Sequence, residues 1–518
     1  MGADERQPGF GAAYLVAALG VLVLGAYTAF EPFGRDQGIH STIAYAWGEG
    51  LTTYRDVFNI KPPMTTAMHR LSQLLFGHDM QAIRYLDWVV FFATTLGLVR
   101  ILQKLGQSAA EAGAAGLGLS VIYYSMTYWE HAQTDGWAAF TVVPSLLCLI
   151  AGWERTGRAR ALWMLLGGAM LGLGVGFKYT IMAAGLLVFA PLFNQGAVRF
   201  RWSDLGFYVL GGALVLGAIV AILVSGGALE PFLEIQNYIR GYIAYGAGRS
   251  DFLWDLIVMV GPAPVNIWII LGGLLLWLAA LMRGETLFFY VIAIWGVTGW
   301  LSGFVQAKGF AYHFLPMMPA YAVFWGLCIG ALATALRRRL GSAALASAFM
   351  IAGLAWVIST TPIWPRMAGH LRLLQADATI QEHHAIHPMP VDFDIAATED
   401  FAALLATHRD PGDSLFVWGY ETMIYFLAEE PPRYRYPFAW PFVVDFHDGR
   451  YTPDLMARLA ANPPRHVVVQ DSDATPWVTG RPESSAEFLA LFPELSSFLD
   501  ANYTPVAETE KFTLLEHQ

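Results

Sequence analysis

Charged residues are scarce in this sequence, in which only 14% of the 518 residues are Asp, Glu, Lys or Arg. A soluble protein of this length carries roughly 25%. Hydrophobic residues make up 56% of the chain. The shortage of charge excludes a wholly water-soluble protein and predicts that much of the chain lies in lipid.

Cysteine is nearly absent as well, since Cys148 and Cys328 are the only two, and both lie in apolar runs. A thiol in such surroundings behaves as a small hydrophobic group. We therefore expect neither a disulfide nor a cysteine-ligated metal. A recognisable zinc pattern is also missing around His383, His384 and His387, which favours a solvated polar loop there.

The formal net charge of -10 is unevenly distributed about Thr361. Residues 1–361 contain 21 Lys and Arg and 18 Asp and Glu, whereas residues 362–518 contain 10 basic and 23 acidic residues. An acidic tail is repelled by nucleic acid and by anionic lipid surfaces, so neither is expected as its partner.

Long apolar runs are what the sequence has in place of charge. Spanning about 30 Å of hydrocarbon takes roughly 20 apolar residues. The first run has no cleavage site after it and is expected to be a membrane helix. The sixth could form a broken pair with the fifth. Eleven segments qualify, at 12–30, 82–101, 109–129, 136–153, 161–177, 180–197, 205–225, 255–281, 285–304, 314–336 and 342–361.

Lys and Arg are concentrated in alternate connections, such as those at Lys104, Arg155 and Arg338, and the positive-inside rule places these loops in the cytoplasm. The sequence thus predicts a multi-pass protein of the bacterial cytoplasmic membrane. Its membrane domain covers 1–361, and a soluble α/β or α+β domain at 362–518, with strands near 414–418, 466–469 and 512–515, lies outside.

The first outward loop, 31–81, is too long for a turn. Its apolar residues recur at helical spacing around Ile43 and again around Leu71, which predicts two helices lying in the membrane interface. A second amphipathic stretch at 230–255 mixes tyrosines, including Tyr245, with Arg240 and Arg249, a composition typical of headgroup depth.

Polar residues that a membrane protein normally avoids gather at the outward ends of the predicted spans. A charge at bilayer depth costs at least about 2.5 kcal/mol, so such residues usually line a functional cavity. Such residues occur in four loops that are predicted to lie on the same side of the membrane, so we expect them to form one site. The candidates are Glu31, Asp36, Gln37, Arg55, Lys61, His131, Gln133, Asp135, Lys178, Lys308, Tyr312 and His313.

These residues combine two kinds of charge. Lys and Arg side chains can neutralise a phosphate, and Asp36 and Asp135 are available as bases. Transfer of a sugar from a lipid phosphate needs both kinds, since a carboxylate must take the proton of the acceptor hydroxyl while cations hold the charge on the departing phosphate.

Several short motifs, in this order, resemble those of the GT-C glycosyltransferases. Arg35-Asp36-Gln37, Tyr54-Arg55-Asp56 and Lys61-Pro62-Pro63 look like the first outer loop of the lipid A aminoarabinose transferases and protein O-mannosyltransferases. Thr134-Asp135, Phe177-Lys178-Tyr179 and the segment 308–321 resemble later motifs of the same group, and Trp418-Gly419-Tyr420 resembles its outer domain. One departure is Gln37, where the group usually has a second acidic residue.

The resemblance implies a GT-C fold and an inverting, polyprenyl-phosphate-sugar-dependent transferase. No obligatory metal is expected, because fixed cations can neutralise a lipid monophosphate. It makes Asp36 the general base, and Asp135 is the second catalytic candidate. The resemblance gives the donor phosphate to Lys61 and Lys178, with Arg55, Tyr312 and His313 as helpers, and we add Lys308 to this basic set. Residues expected at the acceptor or the sugar are Glu31, Gln37, His131 and Gln133. The acceptor would be a glycan, lipid or protein.

Structural explanations compete with each of these roles. Asp36 could pair with Arg35 or cap a helix that begins near Gly38, Lys61 could extend to the interface, and Asp135 could cap its helix. A metal site formed by His131, His313 and Asp135 has only spacing to support it. A transporter of lipid-linked sugars is the alternative function, although internal repeats, which transporters often show, are absent.

Overall fold

A computed structural model describes residues 9–243, 263–306, 308–387 and 392–518 of the chain. The chain forms two compact units. The helical unit consists of the described residues of Met1–Phe30, Arg84–Ile219 and Gly248–Leu374, and the mixed unit of those of Glu31–Ile83, Val220–Ala247 and Gln375–Gln518. Tyr245, Arg249 and the first residues of the predicted span 255–281 lie outside the described residues.

Helices account for most of the first 374 residues. In chain order they are α1 (Phe10–Leu24), α2 (Arg35–Gly48), α3 (Pro63–Phe76), α4 (Gln81–Lys104), α5 (Ala109–Ser125), α6 (Thr134–Trp153), α7 (Gly157–Phe177), α8 (Trp202–Ser225), α9 (Leu229–Tyr238), α10 (Arg240–Ile243), α11 (Ala263–Met282), α12 (Thr286–Phe304), α13 (Met318–Leu340), α14 (Ala343–Ser359) and α15 (Ile363–Leu374). Three 3₁₀ helices, at Ala26–Phe30, Tyr179–Phe193 and Ala311–Met317, lie among them.

Each of the eleven predicted spans coincides with one of these helices in the described part of the chain. Eight stretches there are long and apolar enough to cross a membrane, at Phe10–Phe30, Gln81–Lys104, Thr134–Trp153, Gly157–Phe177, Trp202–Ser225, Val265–Met282, Thr286–Phe304 and Ala311–Leu340. A ninth crossing is possible where α14 meets α15, although the two are bent by 83°. The protein is therefore a multi-pass membrane protein.

The sixth predicted span is a 3₁₀ helix. Tyr179–Phe193 follows α7 after a single residue, Lys178, whose extended backbone (φ -150°, ψ 123°) ends the α-helix. A 3₁₀ helix rises about 2.0 Å per residue, so these 15 residues extend over roughly 30 Å. A segment too short to span as an α-helix thus reaches the thickness of the hydrocarbon layer.

The two helices predicted in the first outward loop are α2 and α3 of the mixed unit. Helix α3 buries a polar face, which includes Thr66 and His69, and exposes Leu71, Leu74 and Leu75. This arrangement is the reverse of that in a water-soluble protein, and it is typical of a helix that presents its apolar face to lipid.

The tail forms a small mixed sheet with surrounding helices. Its strands are β1 (Leu415–Trp418), β2 (His466–Gln470), β3 (Tyr503–Glu508) and β4 (Phe512–His517). Its helices are α16 (Ile380–Ala385), α17 (Ile395–His408), α18 (Met423–Leu427), α19 (Trp440–Val443), α20 (Thr452–Ala461), α21 (Pro476–Thr479), α22 (Ser485–Leu489) and α23 (Pro493–Asn502). The prediction of a solvated loop around His383 was wrong, because His383 and His384 lie in α16 and, like His387, are buried.

The strand order is β1-β2-β4-β3. Strands β1 and β2 are parallel, with Val417 opposite Val468, and β4 is antiparallel to both β2 and β3. Phe401 and Leu405 of α17 pack on the sheet residues Val417 and Leu514 to form the core. The sheet contains the three predicted strands.

Strand β3 was not predicted from the sequence. It forms the edge of the sheet, its residues from Thr504 to Val506 are exposed, and Pro505 lies within it. Proline is tolerated on an edge strand, where its missing N–H is not needed, but it weakens the sequence signal of a strand.

Candidate active site

Asp36 lies in the first turn of α2, where the positive end of the helix dipole favours a carboxylate. The helix begins at Arg35, after Gly34, rather than near Gly38. The Gly34 N–H donates to the side-chain oxygen of Gln37 at 3.0 Å, and Gln37 is buried. The Gln37 side chain therefore lies at the start of α2, and its role in sugar binding stays a prediction.

Asp36 forms an ion pair with Lys61, in which Lys61 Nζ lies 3.7 Å from Asp36 Oδ2. The Lys61 side chain is 15% exposed and that of Asp36 is 23% exposed. The Lys61 backbone is fixed on both sides, since its N–H donates to Asn59 Oδ1 at 3.0 Å and its carbonyl accepts the Tyr54 hydroxyl at 2.7 Å. A carboxylate and an ammonium group are thus held together within reach of a ligand.

Tyr54 supports this geometry at the expense of backbone strain. Its φ of 73° lies in the left-handed region, which is unfavourable for a side chain of this size. The Tyr54 N–H donates to the Val57 carbonyl at 2.7 Å, and its ring is buried against Phe232. These contacts hold the strained residue in place, so that its hydroxyl reaches Lys61.

Arg55 is predicted to bind phosphate, and in the structure it contacts protein groups. Its guanidinium forms an ion pair with Asp56 at 2.7 Å and donates to the Gly226 carbonyl at 2.9 Å, and about half of its side chain is exposed. Arg55 therefore joins the loop to the end of α8. Glu31, a predicted sugar-binding residue, is completely buried in the same unit.

Arg35 lies in a buried cluster of ionisable side chains. Its guanidinium lies 2.6 Å from Asp392 and 2.9 Å from Glu421, and all three side chains are at most 10% exposed. The rings of Phe393 and Tyr420 flank it at 5.6 and 5.4 Å. Burial raises the pKa of Glu421, and the Arg35 charge opposes this shift. Arg35 therefore fixes the start of α2, next to Asp36.

We expect Arg35→Met to destabilise the protein. Removing one member of a buried ion pair leaves the other charge uncompensated, at a cost of about 3–5 kcal/mol. The thermal midpoint of the detergent-solubilised protein should fall by several degrees and recover in part when Glu421→Gln is added. Arg433→Met is the control, because 55% of the Arg433 side chain is exposed in its pair with Glu430. Equal midpoints for the two single variants would contradict the prediction.

A second polar cluster lies in the helical unit at the start of α6. Asp135 is completely buried; its Oδ2 lies 3.2 Å from Lys178 Nζ and its Oδ1 accepts from Gln306 Nε2 at 2.9 Å. Lys178 is 17% exposed and is therefore the member of the pair that a ligand can reach. Gln306 was not singled out from the sequence.

Glycine allows α6 and α7 to pack closely enough to bring this pair together. A Cβ atom at Gly174 would lie 2.3 Å from the Thr141 hydroxyl and 3.4 Å from the Ala138 carbonyl, both on α6. The helices can approach because Gly174 has no side chain. Lys178, one turn later, is thereby held against the first turn of α6.

Lys308 is half-buried between α12 and the 3₁₀ helix Ala311–Met317, and this burial lowers its pKa to about 8. Tyr312 and His313 on that helix are buried, with their rings 4.6 Å apart and perpendicular. These three residues lie within six positions of the sequence, and their part in phosphate binding stays a prediction.

His131 and Gln133 are buried in the loop before α6. His131 Nε2 lies 2.9 Å from the Tyr123 carbonyl oxygen, and the Gln133 amide donates to the Trp129 carbonyl at 2.8 Å. Both contacts organise the loop that leads to Asp135. Among the described residues, no group of three or more His, Cys, Asp or Glu side chains is arranged to hold a metal ion.

The family sequence model described as dolichyl-phosphate-mannose-protein mannosyltransferase matches residues 60–224, about a third of the chain. The matched segment contains Lys61, Asp135 and Lys178.

Two curated relatives match shorter segments. Both are from Oryza sativa subsp. japonica. The probable inorganic phosphate transporter 1-3 is 27% identical over 128 residues, and the inorganic phosphate transporter 1-2 is 27% identical over 131 residues. The matches cover 24% and 25% of this chain and 23% and 24% of the relatives, so the chain matches only about a quarter of their length.

Solved structures share the fold over nearly the whole chain. ArnT from Cupriavidus metallidurans bound to undecaprenyl phosphate has a TM-score of 0.58 at 15% identity, and its apo state one of 0.57 at 13%, each covering 98% of both chains. The Archaeoglobus fulgidus oligosaccharyltransferase tethered to an acceptor peptide has a TM-score of 0.51 at 12% identity, over 96% of this chain and 72% of that one. The chain therefore has the GT-C fold, as the sequence resemblance predicted.

Proposed function

We propose that this protein transfers a sugar from a polyprenyl-phosphate-linked donor to an acceptor hydroxyl at the outer face of the bacterial cytoplasmic membrane. The observation that carries the proposal is the partly exposed pair of Asp36 and Lys61, 3.7 Å apart. The pair joins a carboxylate, which can accept a proton, to an ammonium group, which can hold a phosphate. The GT-C fold supports this assignment.

In the proposed reaction Asp36 accepts the proton of the acceptor hydroxyl. The acceptor oxygen forms a bond to the anomeric carbon as the bond from that carbon to the phosphate oxygen breaks, with inversion. The electron pair leaves with the polyprenyl phosphate, and Lys61 stabilises the charge that grows there. Lys178, Lys308 and Arg55 are proposed as further cations for the phosphate, with Tyr312 and His313 as donors.

The donor class is supported by two of the proteins that this chain resembles. One ArnT structure contains undecaprenyl phosphate, and the matching family is described by its dolichyl-phosphate-mannose donor. The distribution of Lys and Arg supports an outward position for the tail and for the loop that contains Asp36. Glycans, lipids and proteins of the cell envelope are the acceptor classes that such a position allows.

The function is tested by mass analysis of the envelope glycans with and without the gene. The proposal expects one sugar residue to disappear on deletion and to return with the wild-type gene. Purified protein should also release polyprenyl phosphate from a matching polyprenyl-phosphate sugar when the acceptor fraction is added. Unchanged glycans in the deletion strain, together with no release by the purified protein, would refute the proposal.

We expect transfer to continue in EDTA. Fixed cations can neutralise a lipid monophosphate, so the proposed step does not require a divalent ion. The rate of polyprenyl phosphate release should change by less than about twofold when the chelator is added, because the charge on the leaving group is already matched by side chains. Complete loss of release, with recovery on adding a metal, would show that an ion takes part.

Transport is the alternative that the short matches to phosphate transporters raise. Those matches cover about a quarter of each chain, whereas the GT-C structures align along 96% of this chain or more. Proteoliposomes separate the two functions. A transporter would move labelled inorganic phosphate or a lipid-linked sugar across the bilayer without breaking the sugar–phosphate bond, and a transferase would break it.

A further inference from the structure

His40 is a buried histidine one turn after Asp36 on α2. Residues four apart on a helix lie on the same face, so His40 and Asp36 are neighbours. The imidazole is only 3% exposed, and its ring lies 5.6 Å from that of His69 on α3. His69 in turn has its Nδ1 2.8 Å from the Ser41 hydroxyl. His40 thus lies where α2 packs on α3, close to Asp36 and to Lys61 in the segment before α3.

Neither ring nitrogen of His40 forms a hydrogen bond within the described residues. A buried polar group in this condition loses its interactions with water without replacing them, and therefore requires an explanation. Burial, with a further contribution from the Lys61 charge, lowers the pKa of His40 to about 3, against the opposing effect of Asp36. The ring is therefore neutral at physiological pH, with one nitrogen as a donor and the other as an acceptor.

Several segments contribute charged or titratable groups near Asp36 or on the elements that pack on α2. One of these groups is the Tyr242 hydroxyl of α10, whose pKa is raised by burial and by the Asp36 charge. Arg35 and Asp36 lie on α2 itself, Lys61 and His69 come from α3 and the segment before it, and Glu421 precedes α18, which packs on α2. Arg35 and Glu421 are paired with each other at 2.9 Å. Asp36 and Lys61 are the two charges that act on His40.

We propose that His40 is a positioning residue for Asp36, and that it donates a hydrogen bond to the Asp36 carboxylate once Lys61 has turned to the phosphate of the bound donor. This inference rests on the proposed function. A cation beside a carboxylate weakens it as a base, whereas a neutral N–H orients the carboxylate with a smaller loss of basicity. Catalytic hydrogen bonds that are long in a free enzyme often shorten when the substrate binds.

The test is the pH dependence of kcat in His40 variants at saturating donor. His40→Phe removes the donor from a charged acceptor, which should lower kcat roughly 10- to 100-fold. Without the N–H the carboxylate is less stable, so the acid limb of the profile should move upward by roughly one pH unit. Binding of polyprenyl phosphate should be unchanged. His40→Gln and His40→Asn place an amide N–H near the two ring nitrogens, and at least one should retain kcat within about threefold and the original acid limb.

The controls are the same substitutions at His466, another buried histidine whose ring nitrogens form no hydrogen bond within the described residues. These control variants should keep the wild-type kcat and the wild-type acid limb. If His40→Phe leaves kcat unchanged, or lowers it without moving the acid limb, His40 only packs α2 on α3 and the inference is wrong. Failure of both amide variants to retain activity would also overturn it. Failure of the proposed function is distinguishable, because the wild-type protein would then release no polyprenyl phosphate, so that no kcat could be measured for any variant.

Discussion

Asp36→Asn is expected to lower kcat by about three orders of magnitude, since a general base contributes typically 10²- to 10⁴-fold. Asn has nearly the shape of Asp and is also favoured near helix starts, so α2 should form as before. The Lys61 ammonium loses its partner at 3.7 Å and remains available to a phosphate. The variant should therefore bind polyprenyl phosphate at least as tightly as the wild type, while product formation in a single turnover nearly stops.

Glu49→Gln is the matched control for this variant. Glu49 is an exposed carboxylate directly after α2, so its loss changes the net charge equally without affecting the ion pair. Wild-type rates are expected for it. Retention of transfer within about tenfold in Asp36→Asn would show that another group accepts the proton and that the pair with Lys61 only supports the structure.

The parts of the fold that follow from local pattern were predictable. Helices α2 and α3 follow from apolar residues at helical spacing, and strands β1, β2 and β4 from short apolar runs between turn residues. The 3₁₀ conformation of Tyr179–Phe193 was not predictable, because an apolar run is compatible with several helix types. Strand β3 was missed because its exposed residues and Pro505 give no strand signal.

The same division applies to the candidate site. Asp36 and Lys61 could be singled out because charge is rare near predicted membrane helices and because their motifs resemble those of a known group. The contacts of Arg35 with Asp392 and Glu421 join residues more than 350 positions apart, and nothing local in the sequence indicates them. His40 did have a sequence signal, its spacing of four from Asp36, but only burial and the missing hydrogen bonds gave that spacing a meaning.

Lys178→Met should abolish transfer and also reduce the yield of folded protein. Asp135, completely buried, would lose its cation and retain the hydrogen bond from Gln306. Removing one partner of a buried pair costs about 3–5 kcal/mol, which is a large part of the stability of a protein. Asp135→Asn added to Lys178→Met removes the uncompensated charge, so the monodisperse fraction in size-exclusion chromatography should recover.

The double variant, compared with Asp135→Asn alone, separates the two roles of Lys178 from the candidate catalytic role of Asp135. If Lys178 binds the phosphate, transfer stays absent although folding has recovered. Arg160 and Asp204 provide the control, as a buried pair with Arg160 Nε 2.8 Å from Asp204 Oδ1 and no proposed part in the reaction. In Arg160→Met with Asp204→Asn, yield and transfer should recover together, because that pair only supports the fold. Joint recovery in the Lys178 double variant as well would assign Lys178 to structure and leave Lys61 as the proposed phosphate ligand beside the base.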